Sequence, residues 1–569
     1  MRIGKGLSVG LVLLALCIAF GGDATLGQAQ QCTVTVQPGD SIQEAIELFG
    51  WGPDPVVCLA EGTWEENLRI ERNLTLRGQG TEQSVIKGSQ PGYPVVWIES
   101  ESTTDVALSG LSVLDAQGMD GERDKCADNS GENWTCPYGV KIAGESNVTV
   151  RDVTVADNGR FGLAIAGFSN LTLSGSTMAD NNLRGISAFG SASVTIADAT
   201  VEGNGMGIVA LESAAVEVDN TTIFKNGGYA VGVAGLSTMK LSESTISDNN
   251  YGVYAWDDSR LNLVRNRLTD NQWCGIGVFS EGVEVSGSLN TMHGNWVDLC
   301  GAVSSSLRTP LVPETDRVEL RVPGDYQSLQ EAIDAIAPGG TITLGNGTIT
   351  EGATVWKPLT LQGAGIGQTT IEAPAVAISV LAEVQQSAIQ DIHIQGAMAA
   401  LYGQTTLNHV KVSKNGSGAP SIETGLGGHI KLQEVEVTGG SFTGVIAWTY
   451  AHIEIVNSLI AHNDHDGVNM NHSGILSVEG SQIRDNKTGI ALYGSTTVSL
   501  RENRIVENVD WGIFAKQGTD QWGNAFVGEI HGCGNQVHDN GDSDISGLSS
   551  PTRRDLQEPC EASDLDETL

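Results

Sequence analysis

The stretch Asn181-Asn182-Leu183-Arg184-Gly185-Ile186-Ser187-Ala188, then Val194-Thr195-Ile196, then Asn204-Gly205-Met206-Gly207-Ile208-Val209-Ala210, states one plan and begins it again. An Asn opens a turn, a Gly follows, a short segment alternates, and a second alternating segment precedes the next Asn. Period-two alternation with β-branched residues is the signature of a strand. The Asn recurs as Asn158, Asn181, Asn204, Asn226, Asn249, Asn271 and Asn295, every 22 to 24 residues, and again as Asn463, Asn486 and Asn508. A rung of that length holds two or three short strands and tight turns. Rungs stacked about 4.8 Å apart pair each strand with its equivalents above and below. The chain therefore reads as an all-β solenoid, a parallel β-helix. Its asparagines should stand in one column, bonded up and down while tolerating left-handed backbone.

A larger repeat encloses the smaller one. Pro38-Gly39-Asp40, Ile42-Gln43-Glu44-Ala45-Ile46 and Leu74-Thr75-Leu76-Arg77-Gly78-Gln79-Gly80 return as Pro323-Gly324-Asp325, Leu329-Gln330-Glu331-Ala332-Ile333 and Leu359-Thr360-Leu361-Gln362-Gly363-Ala364-Gly365, offset by 285 residues over most of the series. The segments from Ser41 to Leu48 and from Gln327 to Ile336 carry apolar residues at helical spacing. One short amphipathic helix per copy would cover the unpaired edge of an open coil. Two modules are expected, over residues 30–301 and 318–545. A linker rich in Ser, Thr and Pro over 302–317 would join them. Residues 546–569 read as an acidic tail tied back through Cys560.

Composition sets the limits. The 569 residues hold 72 glycines yet remain 40% hydrophobic, which excludes disorder and collagen. With 68 acids against 31 Lys and Arg, the formal charge is −37, a surface that repels phosphate backbones, so nucleic acid is not an expected partner. Met1, Arg2 and Lys5 precede an apolar stretch from Leu7 to Phe20, and Gly27 and Ala29 flank Gln28. Residues 1–29 are thus expected to be a signal peptide, with no membrane span after its removal and a secreted, periplasmic or cell-surface location. Eight cysteines follow, falling as sequence neighbours: Cys32 with Cys58, Cys126 with Cys136, Cys274 with Cys300, and Cys533 with Cys560. In an exported chain these are expected disulfides, and the absence of C-x-x-C pairs argues against a thiolate metal site.

The helix before each copy, the Leu-Thr-Leu-x-Gly-x-Gly segment and the Asn/Gly rungs together resemble the right-handed parallel β-helix proteins. That group comprises the pectin-lyase-like fold with its carbohydrate-binding and sugar-hydrolase repeats, and NosD-like periplasmic proteins. The resemblance covers nearly all of residues 32 to 545. It implies a right-handed coil and, for activity, polysaccharide lyases, hydrolases, epimerases and esterases alongside members that only bind or adhere. One fold hosts unrelated functions, so the site must be sought in its residues.

The strand after each Asn turn alternates, so its outward positions form a stripe up the coil. Only 5% of the chain is aromatic, yet Tyr254, Trp256 and Phe279 collect on one edge and Trp448, Tyr450, Tyr493 and Phe514 on another. These rings are candidate stacking platforms for sugars, with Asn469, Asn471 and Lys516 as polar companions on the same stripe. Packing beneath long loops is the alternative. Two insertions could wall such a groove: an acidic one over 115–138, next to the strand of Lys141, and another over 517–532 with Trp522.

The densest polar cluster is His462-Asn463-Asp464-His465-Asp466, followed by Asn469, Asn471 and His472. An imidazole beside carboxylates can move a proton, which makes Asp464, His465 and Asp466 the candidate catalytic residues. The segment partly resembles the Asp-Pro-His-Asp motif of alginate C5-epimerases, without the Pro. Asn463 and Gly467 also fit the ordinary rung, which makes turn residues the strong alternative reading of the three. Arg160 and Arg184, near Asp157 and Asp180, read as structural ion pairs. Taken together, the chain is expected to bind an extracellular polysaccharide along lateral grooves, with cleavage or epimerisation as the enzymatic extension. A non-enzymatic surface, stalk or adhesion protein is the rival class, and a periplasmic NosD-like accessory protein a third. No metal ligand set is assigned. So negative a surface would repel an acidic glycan unless Ca²⁺ bridges the two, which points to a neutral glycan or to Ca²⁺-dependent binding, with no other cofactor assigned.

Overall fold

The computed structural model of the chain describes residues 31–53, 55–118, 136–280, 282–373, 376–396, 398–413, 416, 418–425, 427–516 and 528–560. The expected signal peptide, Cys126 with most of the acidic insertion, Trp522 and the last residues of the tail lie outside them.

Three short strands make one rung. Asn170–Ser174, Thr177–Ala179 and Arg184–Ala188 pair in parallel with Ser193–Ala197, Thr200–Glu202 and Met206–Ala210 of the next. Pairing is in register, so Leu171 meets Val194 and Ile186 meets Ile208, and all four are buried. Because side chains alternate, one inward position per rung fixes the column for every other rung. The second copy repeats the plan in three parallel sheets of 10, 9 and 9 strands.

The asparagines align as expected. In the first copy the side-chain amide of each donates to the next: Asn158 to Asn181 and Asn181 to Asn204 at 2.9 Å, Asn204 to Asn226 at 3.1 Å, Asn226 to Asn249 at 2.9 Å, Asn249 to Asn271 at 3.1 Å and Asn271 to Asn295 at 2.8 Å. The same Oδ1 also accepts the backbone N–H of the preceding Asn, so one buried side chain satisfies a donor at each turn. Asn463, Asn486, Asn508 and Asn540 continue the pattern in the second copy. The left-handed residue is not the Asn. It is the one before it, Asp157, Asp180, Gly203, Lys225, Asp248 or Asp270, at φ between 52° and 65°. The Asn side chain points inward to its column, so the reversal falls on a neighbour whose side chain is free to face out.

Both cap helices form, Ile42–Phe49 and Leu329–Ala335, each N-capped by a serine, Ser41 or Ser328. The first buries Ile42, Ala45 and Ile46. The second is buried more fully, Gln330 and Asp334 included, because the first copy ends against it. Arg308, 6% exposed, sits within the segment expected as a linker. It donates through Nε to Asp298 at 2.5 Å and bidentately to Asp334 at 2.7 and 2.8 Å. The backbone N–H groups of Asp298 and Leu299 donate to Thr354 Oγ1. One apolar core runs through both copies, with Val303 and Leu307 joining it.

The Cys32–Cys58, Cys274–Cys300 and Cys533–Cys560 disulfides are present. The tail carries a helix, Ser550–Gln557, whose Leu556 is buried. The Leu556 carbonyl accepts from the backbone and side-chain amides of Asn535, the last member of a second column that includes Asn503. The far end of the coil is thus closed by the tail.

Candidate functional site

A cavity lined by aromatic side chains lies where the two copies meet, with a volume of about 460 Å³. Tyr251, Tyr254, Trp273 and Phe279 line it from the first copy, and Tyr402, Glu423 and Trp448 from the second. The register explains each position. In the strand Tyr251–Ala255, Val253 and Ala255 point into the core, so Tyr254 points out. Its partner on the next rung is Gly277, where a Cβ would come within 2.6 Å of the Phe279 ring. The missing side chain lets Phe279 fold back and stack on Tyr254, centroids 5.0 Å apart. Tyr251 stacks on Trp273 at 5.5 Å, and the Cys274–Cys300 disulfide lies beneath.

From the other side, Glu423 occupies the outward position of the strand Ile422–Thr424, paired with Ala400 on the rung before and Ile446 on the rung after. Tyr402, buried, donates its hydroxyl to Glu423 Oε1 at 2.6 Å. Trp448 packs against Gly425, where a Cβ would meet its own at 3.0 Å, and stands 40% exposed at the mouth.

Among its described lining residues the cavity holds one carboxyl, that of Glu423, among neutral groups. Burial pushes the Glu423 carboxyl above its ordinary value, opposed by hydrogen bonds from Tyr402 and Trp448. Burial likewise pushes up the phenols, Tyr254 to about 12 and Tyr251 and Tyr402 further, with Glu423 adding to the rise. All three hydroxyls are therefore neutral at physiological pH. Flat apolar faces interleaved with hydroxyls, an indole N–H and one carboxyl suit a ligand that is itself apolar on one face and polar at its rim.

Of the residues singled out from the sequence, Tyr254, Phe279 and Trp448 meet here, although Trp448 was expected on a different edge from the other two. Trp256 packs edge-on against Tyr254 and Tyr229 beside the cavity. Tyr450 is 61% exposed at a turn, with φ 56°. Tyr493 and Phe514 contact each other further along the second coil, where Lys516 is half-buried. Asp464 and His465 are exposed, the His465 ring resting on Phe442 at 4.7 Å. Asp466 accepts from Asn469 Nδ2 at 2.6 Å, and burial raises its carboxyl. Asn471 is half-buried on the same stripe. None of Asp464, His465 and Asp466 lines the aromatic cavity. Lys141 is buried beside the Trp97 ring, and Arg184 is buried against Phe161 and Phe189 rather than paired with Asp180. Glu423, Tyr402, Tyr251 and Trp273 were not singled out. Counting the outward stripe one rung back from Ile446 would have found Glu423.

The family model described as "Right handed beta helix region" matches residues 67–223, 185–308 and 383–550. No curated protein matches the sequence. Similar solved structures include a pectin methylesterase from Erwinia chrysanthemi, 11% identical over 49% of this chain and 93% of that one, TM-score 0.29. A pectin methylesterase from Aspergillus niger is 14% identical over 51% and 93%, TM-score 0.31. A PL6 family alginate lyase is 12% identical over 92% and 99%, TM-score 0.24.

Proposed function

The chain belongs to the right-handed β-helix family, and from that premise we propose that it binds a carbohydrate chain in the aromatic cavity at the junction of its two copies. The convergence of Tyr251, Tyr254, Trp273, Phe279 and Trp448 on Glu423 carries the proposal. A pyranose ring offers C–H faces to aromatic rings and hydroxyls at its edge, and the cavity supplies partners for both. Trp448 at the mouth is the first platform a chain would meet. Glu423 and Tyr402 lie deeper and fix orientation through hydrogen bonds. Glycoside hydrolysis uses a pair of carboxyl groups, and among the described lining residues only Glu423 supplies one, so binding is favoured over hydrolysis. The disulfides among the described residues fit an exported protein in an oxidising compartment.

A glycan array probed with the full mature chain tests this. Trp448→Ala and Tyr254→Ala should each weaken the glycans bound by the wild type about tenfold, on the scale of one lost ring contact with its buried area. If no glycan is bound, or if both variants bind as the wild type does, the cavity is packing and the chain is better read as a rigid surface scaffold.

A further inference from the structure

One sheet of the second coil carries a second cluster that carbohydrate binding does not use. The strands His429–Gln433 and Ala451–Val456 pair in register, which sets His429 beside His452 and Lys431 beside Glu454. Period two then places His452 and Glu454 on the same face. The two imidazoles lie face to face, centroids 4.1 Å apart and planes within 5°. Glu454 Oε1 is 3.0 Å from His429 Nε2, and Oε2 is 3.0 Å from Lys431 Nζ. One donor atom from each of His429, His452 and Glu454 lies within 4.8 Å of the other two, and all three residues are half-buried. The column does not continue as histidine, since Gln404 precedes His429 and Ile475 follows His452.

We propose that His429, His452 and Glu454 form a binding site for a divalent transition-metal ion of the zinc class, with a fourth position open to solvent. Ligands about 2.0–2.2 Å from a tetrahedral ion stand roughly 3.3 Å from one another, close to the 3.0 Å already held between His429 Nε2 and Glu454 Oε1. The three donor atoms lie within 4.8 Å of one another, so bringing the third to that spacing closes at most about 1.5 Å, with the stacked rings turning so that their nitrogens converge on the ion. Two imidazoles and a carboxylate match zinc, cobalt, nickel or copper, whereas Ca²⁺ and Mg²⁺ take oxygen ligands. The rung register supplies the pre-organisation, because both rings are held by backbone pairing rather than by a loop. Lys431 competes with the metal for Glu454, so the site is set against its own neighbouring ammonium.

The test is a Co²⁺ titration of the untagged, chelator-treated mature chain, read by visible absorption and repeated with Zn²⁺ as competitor and Ca²⁺ as control. One saturable equivalent is expected, displaced by Zn²⁺ and not by Ca²⁺. His429→Gln, His452→Gln and Glu454→Gln should each weaken it by about tenfold or more. Lys431→Met should tighten it severalfold by releasing the carboxylate. Perturbation of two histidine ring signals by Zn²⁺ in the wild-type NMR spectrum gives a readout that needs no variant. No saturable Co²⁺ site, or one that neither histidine substitution moves, overturns the proposal. Unchanged affinity in both Glu454→Gln and Lys431→Met overturns the three-ligand assignment.

Discussion

Tyr402 and Glu423 stand on adjacent rungs of the second coil, and the phenol donates to the carboxyl at 2.6 Å inside an otherwise aromatic cavity. Burial holds the carboxyl above its ordinary 4.5, so folding and ionisation oppose each other. Below pH 4.5 the group is protonated in folded and unfolded chains alike and has no effect on their balance. As pH rises past 4.5 the unfolded chain releases the proton first, and stability falls until the folded carboxyl ionises too. Glu423→Gln should therefore match the wild type near pH 4 and gain on it toward neutrality, read as melting temperature against pH. Tyr402→Phe removes a bond that favours the anion, so its losing limb should extend to higher pH. A Gln variant that loses ground as pH rises would mean that the carboxylate is held as a favoured anion.

The asparagine column gives a sharper stability test, because one residue type occurs in two settings. Asn249 is fully buried. It donates to Asn271 and accepts both the side-chain and backbone amides of Asn226. Asn249→Ala strands those partners in the core, at about 1–3 kcal/mol for each group left unsatisfied. Asn170, on an exposed column, donates to Asn147 at 2.8 Å in water's reach. Asn170→Ala should cost about 0.5 kcal/mol or less. Urea unfolding of both variants decides it, and equal losses would mean that the column is not what holds the turns.

That column was legible because it is periodic, and the cap helices because apolar residues at helical spacing mark them. The cavity was not. After Thr438 the column position holds Gly440, whose N–H donates to Asn463 Oδ1, so the outward stripe of the second copy was counted only from Ile446, and Glu423, its register neighbour, was passed over. A second reason lies deeper. Periodicity tells which residues stack within a coil but not which face of one coil meets another. Tyr254 and Trp448 were placed on separate edges, and they share a cavity because of Thr354, Asp334 and Arg308, residues with no repeat of their own. His429 and His452 lie 23 positions apart, the rung period itself, so that pair was within reach of the same arithmetic.

The C-terminal segment should behave as a removable lid on the last rung. Cys560 ties it to Cys533 across 27 residues, while Leu556 fills the end of the core and its carbonyl caps Asn535. Closing a loop of that size contributes roughly 3.5 kcal/mol through the unfolded chain. Cys560→Ser should leave the rungs folded and raise amide hydrogen exchange at Asn535 and along the strand Gln536–His538 first. Exchange that rises uniformly over the second coil would show the disulfide to be holding the coil as a whole.

Arg308 makes the most demanding prediction, because it decides whether the two copies unfold together. Its guanidinium reaches Asp298 at the end of the first coil and Asp334 in the cap helix of the second, with side chains no more than 7% exposed. A buried ion pair is weak evidence of net stabilisation, since desolvation offsets most of the attraction, but removing one partner leaves charge without a counterpart. Arg308→Met leaves two carboxylates facing each other, a loss of about 3–5 kcal/mol at neutral pH. The triple variant Arg308→Met, Asp298→Asn, Asp334→Asn removes the charges together and should recover a large part of it. If the contact couples the copies, the wild type melts in one calorimetric transition and Arg308→Met in two, the aromatic cavity losing its ligand at the first. A single transition in both proteins, shifted only in temperature, would assign the coupling to the shared apolar core around Leu307 instead.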